Sequence, residues 1–273
     1  MRIQSCTCHL AGARTCRGEA GAQSPTENHL LAALPPAEYR QLEPHLEPVE
    51  LTLGCSIYES GERMCHVFFP TAGIVSLQYV LEDGSSAGFA LTGNEGMIGI
   101  STIMGGNSTS SQAIVVGAGQ GYRLSSSALL REFERGGNLQ HLLLRYVQAL
   151  LTQFAQGSVC NRHHTLDQQL CRWLLQGLDR ISSNELHVTQ ELISNMLGVR
   201  RVGVTEAAGR LQDAGLIRLR RGAITVLDRT GLEQVACECY AVVRRETDRL
   251  LSWKPARYSG QVARWVNRAF STT

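Results

Sequence analysis

Six arginines fall between Gly198 and Gly222, namely Arg200, Arg201, Arg210, Arg218, Arg220 and Arg221, against only Glu206 and Asp213 as acids. A guanidinium is permanently charged and offers a planar fork of donors that matches phosphate oxygens or the O6/N7 edge of guanine. The chemistry open to this stretch is therefore phosphate neutralisation and base reading rather than bond making. The formal net charge of the whole chain is only +2, so the excess is local and marks one surface.

Other reactive residues are grouped less tellingly. Cys6, Cys8, His9 and Cys16 could ligate a metal or an iron-sulfur cluster, but their spacing matches no defensible motif, and free thiols are expected there. Cys160, His163 and His164 pair a thiol with two imidazoles. Adjacent residues on a helix point apart, so a polar hinge is expected rather than a site. Cys237 and Cys239 are read as buried thiols. A cupin-like enzyme would need histidines and carboxylates converging from neighbouring strands, and the strand-rich region holds only His66. A Gly-x-Ser-x-Gly nucleophile elbow is missing too. The run from Gly93 to Met104 is glycine-rich without a following Lys-Ser/Thr, so tight corners are favoured over a phosphate cradle.

The arginines need elements to hold them. Leu192, Ile193, Met196 and Leu197 form a helical stripe that Thr189 can cap, and Gly198 can end the helix in the left-handed conformation. A second helix from about Arg201 to Ala214 would bury Val204, Ala207, Ala208 and Leu211. It would leave Arg201, Val202, Thr205 and Glu206 outward at its start to meet base edges in a major groove. Period two then takes over at Leu216, Ile217 and Leu219 and at Ile224 and Val226, around the turn Arg220-Arg221-Gly222-Ala223. That is a winged helix-turn-helix, with Arg200, Arg220 and Arg221 on phosphates. Leu166, Leu170, Trp173, Leu174 and Leu178 supply its first helix.

Upstream, residues 49–124 alternate short strands (Val49–Leu51, His66–Phe69, Ile74–Leu81, Ala87–Leu91, Gln112–Val116 and Gly121–Leu124) with glycine turns, as in a β-roll, after short helices started by Asn28 or Pro35. Residues 138–159 read as one long helix. Leu143, Val147, Leu150 and Phe154 recur at four, three and four residues, the seam of a coiled coil, and a homodimer is expected there. Downstream of Asp228 a helical extension follows, with Leu232, Val235, Ala236, Cys239, Tyr240 and Val243 on one face. The stretch from Lys254, with Trp253 and Trp265 around it, receives no role.

The length suits about two domains. Nine cysteines, odd in number and scattered, suit reduced thiols. There is no apolar run of about 18 residues, and the first residues lack the apolar core of a secretory signal; no membrane partner and a cytoplasmic location are expected. The expected division is a disordered tail over 1–27, a roll over 28–125, a dimerisation region over 126–160, the winged module over 161–228 and the helical extension over 229–273. The class is α+β.

With roll, long helix and winged module in this order, the chain resembles the cyclic-AMP receptor and fumarate-nitrate regulator (Crp/Fnr) superfamily of bacterial transcription factors. The segments GNEGMIGISTIMGGNSTSSQAIV and CNRHHTLDQQLCRWLL and the helix-turn-helix carry the resemblance, over residues 28–228. It implies a cyclic-nucleotide-binding-like β-roll that senses an effector, a dimerisation helix, and double-stranded DNA as partner through a pseudo-palindromic operator. RNA polymerase is a further candidate partner. The effector pocket would involve Gly96, Met97, Ile98, Gly99, Ile100, Ser111 and Gln112. Cyclic-nucleotide binders of this superfamily place a glutamate on the ribose and an arginine on the phosphate; the matching positions here hold Ile100 and Ser111, so cyclic AMP is not expected. The recognition-helix glutamate and arginine are likewise replaced, by Val202 and Glu206, which implies a different operator. The N-terminal cysteines do not reproduce the superfamily's iron-sulfur spacing and nothing nominates haem, so neither a cofactor nor a metal is expected. The competing reading is a ligand-binding module or cupin-like enzyme built on the roll, in which the winged region only packs or contacts protein.

Overall fold

Alternating apolar residues of the first half pair into one antiparallel sheet. The computed structural model describes residues 23–251. A 3-10 turn at Pro25–Glu27 leads into α1 (His29–Ala32) and α2 (Pro36–Leu42). The strands β1 (Glu47–Leu51), β2 (Ser56–Tyr58), β3 (His66–Val80), β4 (Ser86–Thr92) and β5 (Gln112–Ser125) follow. Their order is β1-β5-β3-β4, with β2 also on β5, and every pair is antiparallel.

Several strand expectations are corrected. His66–Phe69 and Ile74–Val80 are parts of the single strand β3, which stops one residue short of Leu81, and Gln112–Val116 and Gly121–Leu124 are parts of β5. Pairing continues through bulges between Pro70 and Val75, which bend the strands without ending them. β2 was not foreseen. Tail residues 23–27 are also ordered, because the Tyr122 hydroxyl donates to the Gln23 carbonyl at 2.7 Å. Beside them the buried Asn28 amide donates to the carbonyls of Pro70 and Gly96 while its oxygen caps α1. Residues 1–22, with Cys6, Cys8, His9 and Cys16, lie outside the described residues, as do Trp253 and Trp265.

Helices α3 (Ser126–Glu134) and α4 (Asn138–His163) close the roll. At 26 residues, α4 is about 39 Å long. Its Leu139, Leu142, Leu143, Tyr146 and Leu150 join the same core as Val67, Phe69, Leu77, Met97 and Leu124 of the roll. The dimer-seam assignment is therefore corrected. Leu143 is 0% and Leu150 3% exposed within one chain, Val147 is half-buried, and Phe154 stacks edge-on against Phe89 at 4.9 Å. The open stripe is instead Leu144, Leu151 and Val159, at 52%, 56% and 45% exposure.

The winged module comprises α5 (Leu166–Leu178), β6 (Glu185–Leu186), α6 (Gln190–Leu197), α7 (Arg201–Asp213), β7 (Ile217–Arg220) and β8 (Ala223–Val226), with strand order β6-β8-β7. Then come α8 (Arg229–Val235) and α9 (Glu238–Leu251), the latter packed alongside α4 and α5. A second core joins Leu170, Leu174, Ile193, Val204, Leu211, Ile224 and Leu232, and it includes Ile74, Leu91 and Val116 from the roll. No helix among the described residues is long and apolar enough to cross a membrane.

Candidate nucleic-acid interface

Thr189 caps α6 by accepting from the Leu192 amide at 3.1 Å, and Gly198 ends it at φ 65°, ψ 35°, where a Cβ would be strained. The chain turns within Val199-Arg200 and re-enters helix at Arg201. Val204, Ala207, Ala208 and Leu211 bury one face of α7 at 3% exposure or less. That burial leaves Arg201, Val202, Thr205 and Glu206 exposed, with Val202 at 67%. An apolar side chain that open has no packing role in the monomer.

The wing is a two-stranded ribbon in which Arg220 pairs with Ala223 around Arg221-Gly222. The Leu219 amide donates to Gln212 Oε1 at 2.8 Å, which ties the ribbon to α7. Arg200, Arg201, Arg218, Arg220 and Arg221 are exposed, and among the described residues none of them is held by a carboxylate. Arg210 differs: both its Nε and Nη2 donate to Asp167, at 2.9 and 2.6 Å, and this bonding raises its pKa. It ties α7 to α5 and is not free for a phosphate. Thr205 is also engaged, donating to Gln190 Oε1 at 2.8 Å and sitting 3.1 Å from the Arg201 carbonyl. Gln190 thus sits beside the exposed start of α7. Sequence reasoning passed over it because only the α6–α7 crossing brings these helix starts together.

The residues expected to line an effector pocket are mostly core. Met97 and Ile98 are 1% exposed, and Ile98 bridges to Phe68. A Cβ on Gly96 would lie 2.4 Å from the Tyr146 hydroxyl, so the glycine admits α4 against the roll. Tyr146 in turn donates to the Met97 carbonyl at 2.9 Å, and burial raises its pKa. Gly99 is buried at φ 101°, and Ile100 packs on the core from a 3-10 turn. Ser111 is hydrogen-bonded to Thr109 at 3.0 Å, and Gln112 joins Glu59 to the buried Gln78. The pocket assignment over Gly96–Gly99 is corrected accordingly: side chains fill the space. One cleft of about 440 Å³ opens elsewhere, between Asn94 and Glu95 of the glycine corner, Arg180 after α5, and Tyr240 and Arg244 of α9.

The cysteines and histidines expected to be scattered converge instead. Cys160 in α4, His164 at its C-cap, and Cys237 and Cys239 around the start of α9 place one ligand atom each within 4.8 Å of one another. His163 points away, exposed. The informative spacing was Cys160 to His164, four residues apart on one helix face, and not the adjacent histidines.

A family model for the Crp-like helix-turn-helix domain matches residues 168–235, and one for the cyclic nucleotide-binding domain matches residues 48–135. Among solved structures, a putative transcriptional regulator of the Crp/Fnr family from Eubacterium rectale is similar at 19% identity, with 76% of this chain and 96% of that one covered and a TM-score of 0.61. FixK2 from Bradyrhizobium japonicum is similar at 16% identity, covering 70% and 98%, with a TM-score of 0.62. TTHB099, a transcriptional regulator of the CRP family from Thermus thermophilus, is similar at 19% identity, covering 68% and 95%, with a TM-score of 0.57. A search of curated proteins returned no match.

Proposed function

Because the chain belongs to the Crp/Fnr superfamily of DNA-binding transcription regulators, we propose that it binds a pseudo-palindromic operator as a homodimer, reading bases with the start of α7 and holding phosphates with Arg200, Arg220 and Arg221. One observation carries the reading: an open helix start with Arg201 and Val202 adjoins arginines that no carboxylate among the described residues neutralises. Arg201 suits guanine O6 and N7, Val202 a thymine methyl, and Glu206 the cytosine N4 amine. Thr205 reaches a base only if it exchanges its bond to Gln190. The second copy docks on the Leu144, Leu151 and Val159 stripe of α4. RNA polymerase is a further partner of such a regulator.

The effector is not cyclic AMP. Ile100 packs on the roll core and Ser111 is bonded to Thr109, so a cyclic phosphate would lose a charge-assisted bond worth about 1.5–3 kcal/mol. The test is an electrophoretic shift on a selected operator, titrated with salt, with and without cyclic AMP. Affinity should fall steeply as salt rises, through counterion release, and cyclic AMP should change nothing. A flat salt response would favour a roll whose winged region only packs; tighter binding with cyclic AMP would overturn the effector reading.

A further inference from the structure

Four soft ligands that lie far apart in the chain meet where α4 ends and α9 begins. Cys160 Sγ is 3.4 Å from Cys237 Sγ, and Cys239 Sγ is 3.6 Å from His164 Nδ1. Cys160, Cys237 and Cys239 form a small buried cluster of their own, separate from both apolar cores. With Zn–S bonds of about 2.3 Å and Zn–N of about 2.0–2.1 Å, the edges of a tetrahedral site are about 3.8 Å between sulfurs and about 3.6 Å from sulfur to nitrogen. The two separations in the fold are close to those edges. Ligand atoms this near one another bracket a single ion; a polynuclear cluster would hold them further apart.

We propose that Cys160, His164, Cys237 and Cys239 form a structural zinc site with three thiolates and one imidazole. Thiolate and imidazole together select zinc over hard cations such as magnesium or calcium. The surroundings suit a bound ion. His164 turns Nδ1 toward the sulfurs while its Nε2 lies 3.3 Å from Glu238 Oε2, the outer carboxylate that fixes tautomer and ring orientation in metal-bound histidines. Gln169 donates to the His164 carbonyl at 3.0 Å, which steadies the extended residue at the end of α4. Arg172, buried with its Nε lacking a partner among the described residues, lies within electrostatic range of Cys160. It offsets the net negative charge of one divalent ion with three thiolates.

On binding, three Zn–S bonds and one Zn–N bond form, and the protons of the three thiols pass to solvent. The ligands come from either side of residues 165–236. The ion therefore staples the entry of the winged module to its exit and fixes α9 against α4. All four sites being filled by protein, no position is open for catalysis.

The test uses the full chain without an affinity tag that binds metal. Reduced protein incubated with zinc sulfate and dialysed should retain about one zinc per chain by elemental analysis. Cobalt in its place should give the strong visible bands of a tetrahedral thiolate site, and X-ray absorption of the zinc form should show three sulfurs and one nitrogen. Cys160→Ser, Cys237→Ser and His164→Ala should each lose the ion. Cys171→Ala, which removes a buried thiol outside the cluster, and a triple Cys6, Cys8 and Cys16→Ser variant should keep it. Because a ligand variant could also misfold, the absorption spectrum of the unaltered chain decides alone. A shell of nitrogen and oxygen only, no retained metal, iron-sulfide absorption in place of zinc, a Cys160–Cys237 disulfide in freshly purified protein, or loss of metal from the triple variant would each overturn the proposal.

Discussion

Arg201 and Arg221 carry the same charge and are both exposed, yet the proposed reading gives them different work. Arg201 stands on the first turn of a helix whose opposite face is buried to 3% exposure or less, so its direction is set by a packed scaffold. Arg221 stands at the tip of a two-stranded ribbon beside Gly222, suited to a flexible contact with the backbone of the duplex. Over a library of sites, Arg201→Ala should cost about 1–3 kcal/mol at one base position and relax the preference there. Arg221→Ala should weaken all sites alike and flatten the slope of log affinity against log salt by about one. If Arg201→Ala left every base preference intact, the assignment of α7 would fail.

Among the elements, α4 does two jobs with neighbouring leucines. Leu142, Leu143 and Leu144 are consecutive, as are Leu150 and Leu151. One residue on a helix is about 100° of rotation, so each run divides between the roll core and the open side. Leu151→Glu places a charge on the open stripe, where the two-fold axis of a dimer would bury it unpaired. It should yield a monomer by light scattering with an unchanged thermal midpoint, while the unaltered chain at micromolar concentration should give the mass of a dimer. Leu150→Glu strikes the core instead. It should destabilise the fold by more than the ~2–5 kcal/mol typical of Leu→Ala at a buried site. A monomeric wild type would end the dimer reading, whatever the variants do.

At the scale of the molecule, the roll and the winged module are not independent. Ile74, Leu91 and Val116 of the roll sit in the core of the module. Arg180 after α5 is bound at 2.7 Å to Glu95 in the glycine corner, with side-chain exposures of only 9% and 16%. Ser76 and Met196 touch between β3 and α6, with the Met196 sulfur also against Gly88. Side-chain contact thus joins the roll directly to the helix-turn-helix. Ile74→Ala should cost about 2–5 kcal/mol and lower a single calorimetric transition that includes both parts. Two separate transitions, with only the first shifted, would show that the shared core does not couple them.

Local chemistry made much of this legible in the residues alone. Thr189, Gly198 and the stripe of α7 announce the helix-turn-helix, because caps, left-handed turns and helical periodicity are properties of neighbours in the chain. Period two and the Arg-Gly turn do the same for the wing. Three matters were settled only by tertiary packing. A broad leucine face could not say which leucines meet the roll, since a step of one residue exchanges inside for outside. The glycine run could not say whether its open backbone admits a ligand or the ring of Tyr146. Cys160 and His164 could not signal Cys237 and Cys239, because that proximity exists only once α9 folds back along α4, and sequence distance carries no record of such a crossing.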